Sequence, residues 1–276
     1  METAFGQYDE VREPEACERA VAWSTAIGLQ QVDGLEVSNY LRETARRHVA
    51  GEITQAEAGK LIASYYETKS GQAQPAGVAE ADKVSRRICE VLALPGFRLS
   101  PEYFLGLHGV LFQDVFDHAG RVREVELTKR EWVLDGDTVH YTPAFLVKES
   151  LAYDFAQERD FRYAGLSAEA QVAHLAAFIA GVWQIHPFRE GNTRTTAVFA
   201  IQYLRALGYA AENVLFQEKA WFFRNALVRA NYANAQRGVD RTLGPLEDFL
   251  KVLLLGAKLE LKSRALRIET KREAGQ

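Results

Sequence analysis

Val172, Leu175, Ala176, Ile179, Val182 and Trp183 fall at the i, i+3, i+4, i+7 spacing of one helix face. The segment from about Ala168 to Ile185 is therefore predicted to be a helix whose apolar stripe must be buried against other helices. His186 continues that face, and Pro187 discourages the helix from going further. The residues that follow, Phe188-Arg189-Glu190-Gly191-Asn192-Thr193-Arg194, gather a carboxylate, a glycine turn and a guanidinium into a loop. A second helix is predicted from about Thr193 to Leu207, with Gly208 as its C-cap. Backbone N–H groups of Gly191, Asn192 and Thr193 can then point into the loop as an anion cradle at a helix N-terminus, a phosphate site in prospect.

The rest of the chain follows the same habit. Helices are predicted from about Glu15 to Gln31, ended by Asp33-Gly34, from Asn39 to Val49, ended by Gly51, and from Gln55 to Glu67. Thr54-Gln55-Ala56-Glu57 is a capping-box sequence that starts the third. Gly71-Gln72-Ala73-Gln74-Pro75-Ala76-Gly77 has helix breakers at both ends and no apolar period, and reads as a linker. Beyond it, Ser100-Pro101-Glu102 opens a helix to about Phe116. Further helices are predicted over Pro143 to Glu158, Glu218 to Ala233 and Pro245 to about Ile268, with Lys258 to Arg272 a mixed-charge helical face. The exception is Glu131 to Tyr141, two β-prone runs around Asp135-Gly136 that read as a hairpin. The expected fold is thus all-α with one β-hairpin: a small three-helix module over residues 1–70, then a larger helical domain over 78–270.

Composition narrows the function. With 33 Lys+Arg against 37 Asp+Glu the net charge is -4, which argues against non-specific nucleic-acid binding. Residues 1–70 hold 12 Asp/Glu and 7 Lys/Arg, a balance of -5, so the remainder carries +1. The N-terminus METAFGQYDEVREPE is acidic and polar where a signal peptide is basic and then apolar, and no apolar run is long enough for a membrane span. Cys17 and Cys89 have no ligand spacing and build no disulfide framework, so a reducing cytoplasm is the expected location. His108, His118, His140 and His174 also lack metal-ligand spacing.

His186 to Arg194 resembles the motif HxFx[D/E]GNGRxxR of the Fic family, enzymes that move AMP from ATP onto hydroxyl side chains of proteins. His108 to Phe112, Ala119-Gly120 and Arg123 are similar to that family's LF…AG…R stretch, and the 131–141 hairpin stands where the family has its target-docking flap. The resemblance covers roughly residues 80 to 255. It implies that His186 takes the proton from an attacking hydroxyl, as a neutral imidazole can near pH 7. Glu190 is then expected to hold Mg²⁺ against the α- and β-phosphates, while Gly191, Asn192, Thr193 and Arg194 bind the nucleotide and stabilise charge as pyrophosphate leaves. Asn192 would orient the α-phosphate, and Phe188 would anchor the loop of the nucleotide site. Asn231 and Tyr232 resemble the segment that lines the adenine pocket. Trp132, Val133, Val139 and Tyr141 are the expected docking residues for an extended target segment. The implied substrate is ATP, the cofactor Mg²⁺, and the partner a protein bearing a Tyr, Ser or Thr hydroxyl, with a homodimer as a further partner expectation.

Two positions depart from the motif. Thr193 replaces its second glycine, and Ala197 replaces its last arginine, which in the family contacts the γ-phosphate. A charge-assisted contact of about 1.5–3 kcal/mol is thereby missing. A different nucleotide donor, or a catalytically silent nucleotide-binding or interaction protein, stands as the alternative to adenylyl transfer. Residues 1–70 resemble the small antitoxin that partners some Fic toxins, whose inhibitory motif [S/T]xxxE[G/N] pairs its glutamate with that last arginine. The matching stretch is Leu29 to Gly34, with Asp33 for the glutamate. With Ala197 in the partner position, Asp33 is expected to find no arginine, leaving steric inhibition. The plainer reading of Asp33-Gly34 is a helix stop.

Overall fold

The computed structural model describes residues 15–94, 96–211 and 214–268; the N-terminal stretch before Glu15 and residues 269–272 of the expected C-terminal helix lie outside them. Their helices are α1 (Ala16–Gly28), α2 (Asn39–Val49), α3 (Gln55–Tyr65), α4 (Lys69–Gln72), α5 (Ala76–Ala93), α6 (Pro101–Phe112), α7 (Val147–Asp160), α8 (Ala168–Ile185), α9 (Asn192–Ala206), α10 (Val214–Asn231) and α11 (Gly244–Leu255). At the centre, every residue of α9 from Asn192 to Leu204 is buried, as expected of a helix enclosed by α5, α6 and α8. The stripe of α8 that dominates the sequence packs as read: Val172, Leu175, Ala176, Ile179, Val182 and Trp183 are all buried.

The N-terminal helices share this core. Trp23, Ala26 and Leu29 are 2% exposed or less, in one continuous cluster with residues of α5, α9 and α10. A Cβ on Gly28 would lie 2.5 Å from the Cα of Gln217, so the close crossing of α1 over α10 requires glycine there. Asp82 on α5 accepts hydrogen bonds from the Ser38 N–H at 2.8 Å, the Ser38 hydroxyl and the Tyr66 hydroxyl at 2.7 Å. That buried carboxylate ties the start of α2 and the end of α3 to α5. The expected linker is not an open connection: Thr68 caps the single turn α4, and α5 begins directly after Pro75.

The region 131–141 corrects the sequence reading. Asp135 and Gly136 do form a turn with positive φ (55° and 87°), and the Glu131 N–H donates to the Asp137 carbonyl at 2.9 Å. Yet Trp132–Leu134 is a turn of 3-10 helix, and no strand exists among the described residues. Val133 and Leu134 are consecutive and both fully buried, which breaks the in-out alternation that a ladder needs. The C-terminal helix also stops early, because Gly256 caps α11 in the left-handed region at φ 64°. Residues 256–268 are a strap with one 3-10 turn, Ser263–Leu266, and return to the flap through the Ile268 N–H bond to the Val133 carbonyl at 2.9 Å.

Candidate active site

His186 caps α8 in a left-handed conformation, φ 51° and ψ 59°, which costs a non-glycine residue about 1–2 kcal/mol. Arg123 holds it there. The 2%-exposed guanidinium donates to the His186 carbonyl at 2.7 Å, to the Val125 carbonyl at 2.7 Å and to the Thr142 carbonyl. One cation therefore joins the end of α8 to both legs of the flap. His186 Nδ1 lies 3.2 Å from the Trp183 carbonyl; with Nδ1–H donating there, Nε2 is the free, unprotonated nitrogen. Burial lowers the His186 pKa to about 3, with the Trp183 carbonyl opposing and Lys129, Arg123 and Arg224 adding positive field. The ring is neutral at neutral pH, the state that accepts a proton.

The loop after His186 is closed from inside. Phe188 is fully buried and stacks on His108 with centroids 3.7 Å apart. His108 accepts the Gly120 N–H on Nδ1 at 2.8 Å, and its Nε2–H donates to the Glu190 carbonyl at 3.1 Å. Asn192 uses both ends of its amide on Phe188: Oδ1 accepts the N–H at 3.0 Å and Nδ2 donates to the carbonyl at 2.7 Å. Its side chain shapes the loop, and Nδ2, which carries two N–H groups, keeps one of them for a ligand. Gly191 has φ 75°, and a Cβ there would sit 2.5 Å from the Phe112 ring, so two separate constraints demand glycine. Thr193 lies in the first turn of α9, where backbone N–H groups have no intrahelical partner, and its hydroxyl accepts from Trp183 Nε1 at 3.0 Å.

A cavity of about 250 Å³ opens on this loop, lined among others by His186, Glu190, Gly191, Asn192 and Thr193. Its other walls are Asp33, Lys129, the Glu131–Arg224 pair and Tyr141. Arg224 grips Glu131 bidentately at 2.6 and 3.0 Å, both side chains being buried. Tyr141 stacks on the His186 ring at 3.9 Å, and burial pushes its hydroxyl pKa up. Glu190 is exposed and forms no ion pair among the described residues.

Asp33 does reach an arginine, against expectation, and that arginine is Arg194. The Arg194 Nε is 2.9 Å from Asp33 Oδ2, an ion pair without hydrogen-bond alignment, while Nη1 donates to Gln30 at 2.9 Å and Nη2 to Glu80 at 2.6 Å. The substitution at Ala197 does not matter to this contact, because Leu29–Asp33 is a 3-10 turn packed on α9 and α10 beside Arg194. Asp33 lines the cavity, with Lys129 Nζ 3.8 Å from its other oxygen, and Arg194 stands behind it.

Several predicted residues are elsewhere. Asn231 Nδ2 donates to the Ala180 and Leu227 carbonyls, and the Tyr232 hydroxyl to Asp137 at 2.6 Å; neither lines the cavity. The Val133 and Val139 side chains are in the core, whereas Trp132 is 40% exposed. Sequence reasoning missed Gln30, Glu80, Lys129 and Glu131 as site residues, since each meets its partner, Arg194, Asp33 or Arg224, across a long separation in sequence. Among the described residues no cluster of three metal-ligating side chains occurs, and no helix is long and apolar enough to cross a membrane.

Residues 98–204 match the model of the Fic/DOC family. A probable protein adenylyltransferase, y4lH, of Sinorhizobium fredii is 32% identical over 139 residues, 50% of this chain and 68% of the relative. The probable protein adenylyltransferase Fic of Salmonella typhimurium is 30% identical over 141 residues, 49% of this chain and 68% of the relative. In fold, a crystal structure of a Fic family protein from Desulfovibrio desulfuricans superposes with a TM-score of 0.51 at 16% identity, over 84% of this chain and 64% of the other. Identity at this level across two thirds of two relatives, together with the family match over residues 98–204, which hold the His186 loop and α8 before it, makes the chain a member of the Fic/DOC family.

Proposed function

We propose that this chain is a protein adenylyltransferase, transferring AMP from ATP to a Tyr, Ser or Thr hydroxyl of a target protein. The observation that carries the reading is a neutral His186 with Nε2 free, in one cavity with the start of α9 and an unpaired Glu190. The target oxygen attacks the α-phosphorus while Nε2 takes its proton, and the bond from that phosphorus to pyrophosphate breaks. The N–H groups at the start of α9 face the negative charge that develops. A single carboxylate suits Mg²⁺, which takes one or two protein ligands and completes its shell with phosphate and water; bound at Glu190, it would neutralise phosphate charge. ATP labelled at the α-phosphate tests the proposal. Transfer of label to protein in a lysate, or to the chain itself, supports it; label passing only from the γ-phosphate would sink it.

The N-terminal segment acts as a brake on this site. Ligand pockets usually measure about 300–1,000 Å³, more than the cavity that Asp33 leaves. Its carboxylate occupies the ground in front of Arg194 that an anionic donor needs. Asp33→Ala is expected to raise the rate of transfer at least about tenfold (about 1.4 kcal/mol), less than complete release because Glu80 and Gln30 still hold the guanidinium. An unchanged rate in a correctly folded variant would show that Asp33 is only a helix stop.

The position of the γ-phosphate has no replacement cation on α9. Ala197 is in the core, and Arg205 bonds the Leu92 carbonyl at 2.9 Å. Arg224 is engaged by Glu131. Calorimetry with Mg²⁺ should therefore find ATP and ADP affinities within about tenfold of each other; a preference for ATP of a hundredfold would point to Lys129 or Arg189 as the substitute.

A further inference from the structure

A cavity of about 390 Å³ that shares no lining residue with the catalytic one has Arg229, Arg237 and Arg267 in its lining. Arg229 is the unusual one. Its Nη1 is buried without a hydrogen-bond partner, and its side chain enters no ion pair among the described residues. Asp240 also lines the cavity but forms no ion pair with any of the three arginines. A guanidinium nitrogen buried without an acceptor is costly to keep, since burial removes water from that N–H and nothing replaces it. Burial accordingly lowers the Arg229 pKa, with Tyr232 and no carboxylate acting in the opposite direction.

The other two arginines connect this cavity to the flap. Arg267 Nη2 is 2.8 Å from Asp135 Oδ1, and its guanidinium lies over the Trp132 ring at 5.5 Å. Arg237 Nη1 is 3.9 Å from Asp137 Oδ2 and donates to the Leu134 carbonyl at 3.4 Å. Both are partly exposed and free to redirect a guanidinium hydrogen toward the cavity. Pro245 in the first turn of α11 also lines it, and that helix start has no side-chain cap.

We propose that this cavity is a binding site for a phosphate-class oxyanion. The ligand takes Arg229, through its unpartnered Nη1, as counter-charge and draws Arg237 and Arg267 away from Asp137 and Asp135. Planar guanidinium forks suit phosphate oxygens, which supply several acceptors at once. Loss of the two ion pairs would loosen the flap tip, and the same flap presents Lys129, Glu131 and Tyr141 to the catalytic cavity. The site does not depend on the transfer activity, so it stands or falls separately from the function proposed above.

The test is titration of the full chain with inorganic phosphate and, separately, with pyrophosphate, read by calorimetry and by Trp132 fluorescence with Trp132→Phe as the control. Saturable binding of either ion with a fluorescence change supports the site, the tighter of the two naming its source. Arg229→Gln should weaken that binding at least about tenfold. Arg237→Gln and Arg267→Gln, at more exposed positions, should each weaken it and reduce the fluorescence change, which keeps the test valid if Arg229→Gln fails to fold. Absence of binding up to about 20 mM, equivalent to only about 2.3 kcal/mol of binding free energy, would overturn the proposal. So would an affinity that none of the three substitutions alters.

Discussion

His186→Ala is expected to lower the rate of transfer by about 10²–10⁴, the usual contribution of a positioned general base, while nucleotide affinity stays within a few-fold. The imidazole acts on the incoming hydroxyl and makes no contact that the phosphates need. Alanine is poorly suited to a residue at φ 51°, so His186→Asn should accompany it, because asparagine tolerates that conformation and has no basic nitrogen. Equal losses in both variants, with calorimetric binding preserved, would assign the effect to the missing base. Transfer at the wild-type rate by either would remove His186 from the mechanism. The pH profile adds a second reading. With a His186 pKa near 3 in the closed site, the rate should show no acid limb at the ordinary histidine value of about 6.5.

Stability should nevertheless fall as the solution is acidified, and steeply for a chain of this size. His186 and His108 both titrate near 3 in the folded protein, burial being the main cause for each. In the unfolded chain they titrate near 6.5. Below that value the unfolded state takes up two protons that the folded state refuses, so stability is complete above about pH 7 and is lost progressively toward pH 3. Between pH 7 and pH 5 the loss is about 2 kcal/mol for each histidine, or about 4 kcal/mol together. Asp82 and Asp154, whose carboxyl pKa values burial raises, act in the opposite sense and reduce the total. Urea unfolding at the two pH values measures it, and His186→Asn should remove about half of the slope. A urea midpoint that does not move between pH 7 and pH 5 would mean that neither ring is held neutral.

The proposed brake and the proposed anion cavity share a physical theme, since each turns on an arginine with a buried nitrogen that has no hydrogen-bond partner. Arg194 has three side-chain partners that offer oxygen, two of them carboxylates, whereas Arg229 has no ion-pair partner among the described residues. The first is a cation over-supplied with internal partners, which a nucleotide must displace. The second is a cation under-supplied, for which a ligand is the missing partner. In both places a short segment, Leu29–Asp33 or the 133–137 flap tip, is held by ion pairs that an oxyanion can take over.

What the sequence determined by itself is what depends on neighbours along the chain. The α8 stripe, the stop at Pro187, the glycine turn at 191, the capping box at Thr54 and the helix stop at Gly34 are all local, within one or two helical turns. They hold in the structure as read. The motif His186 to Arg194 is local too, and it was enough to imply the loop, its base and its cradle. Tertiary structure alone decided the partners. Asp33 finds Arg194 and Arg224 finds Glu131 across separations of 161 and 93 residues, and no periodicity encodes such a pairing. It also decided the flap, where the β propensity of Trp132, Val133 and Leu134 gave way to burial of consecutive apolar side chains in the core. Local chemistry fixes a backbone turn within a few residues, whereas a buried charge is settled by whichever oppositely charged group the packing of distant helices delivers to it.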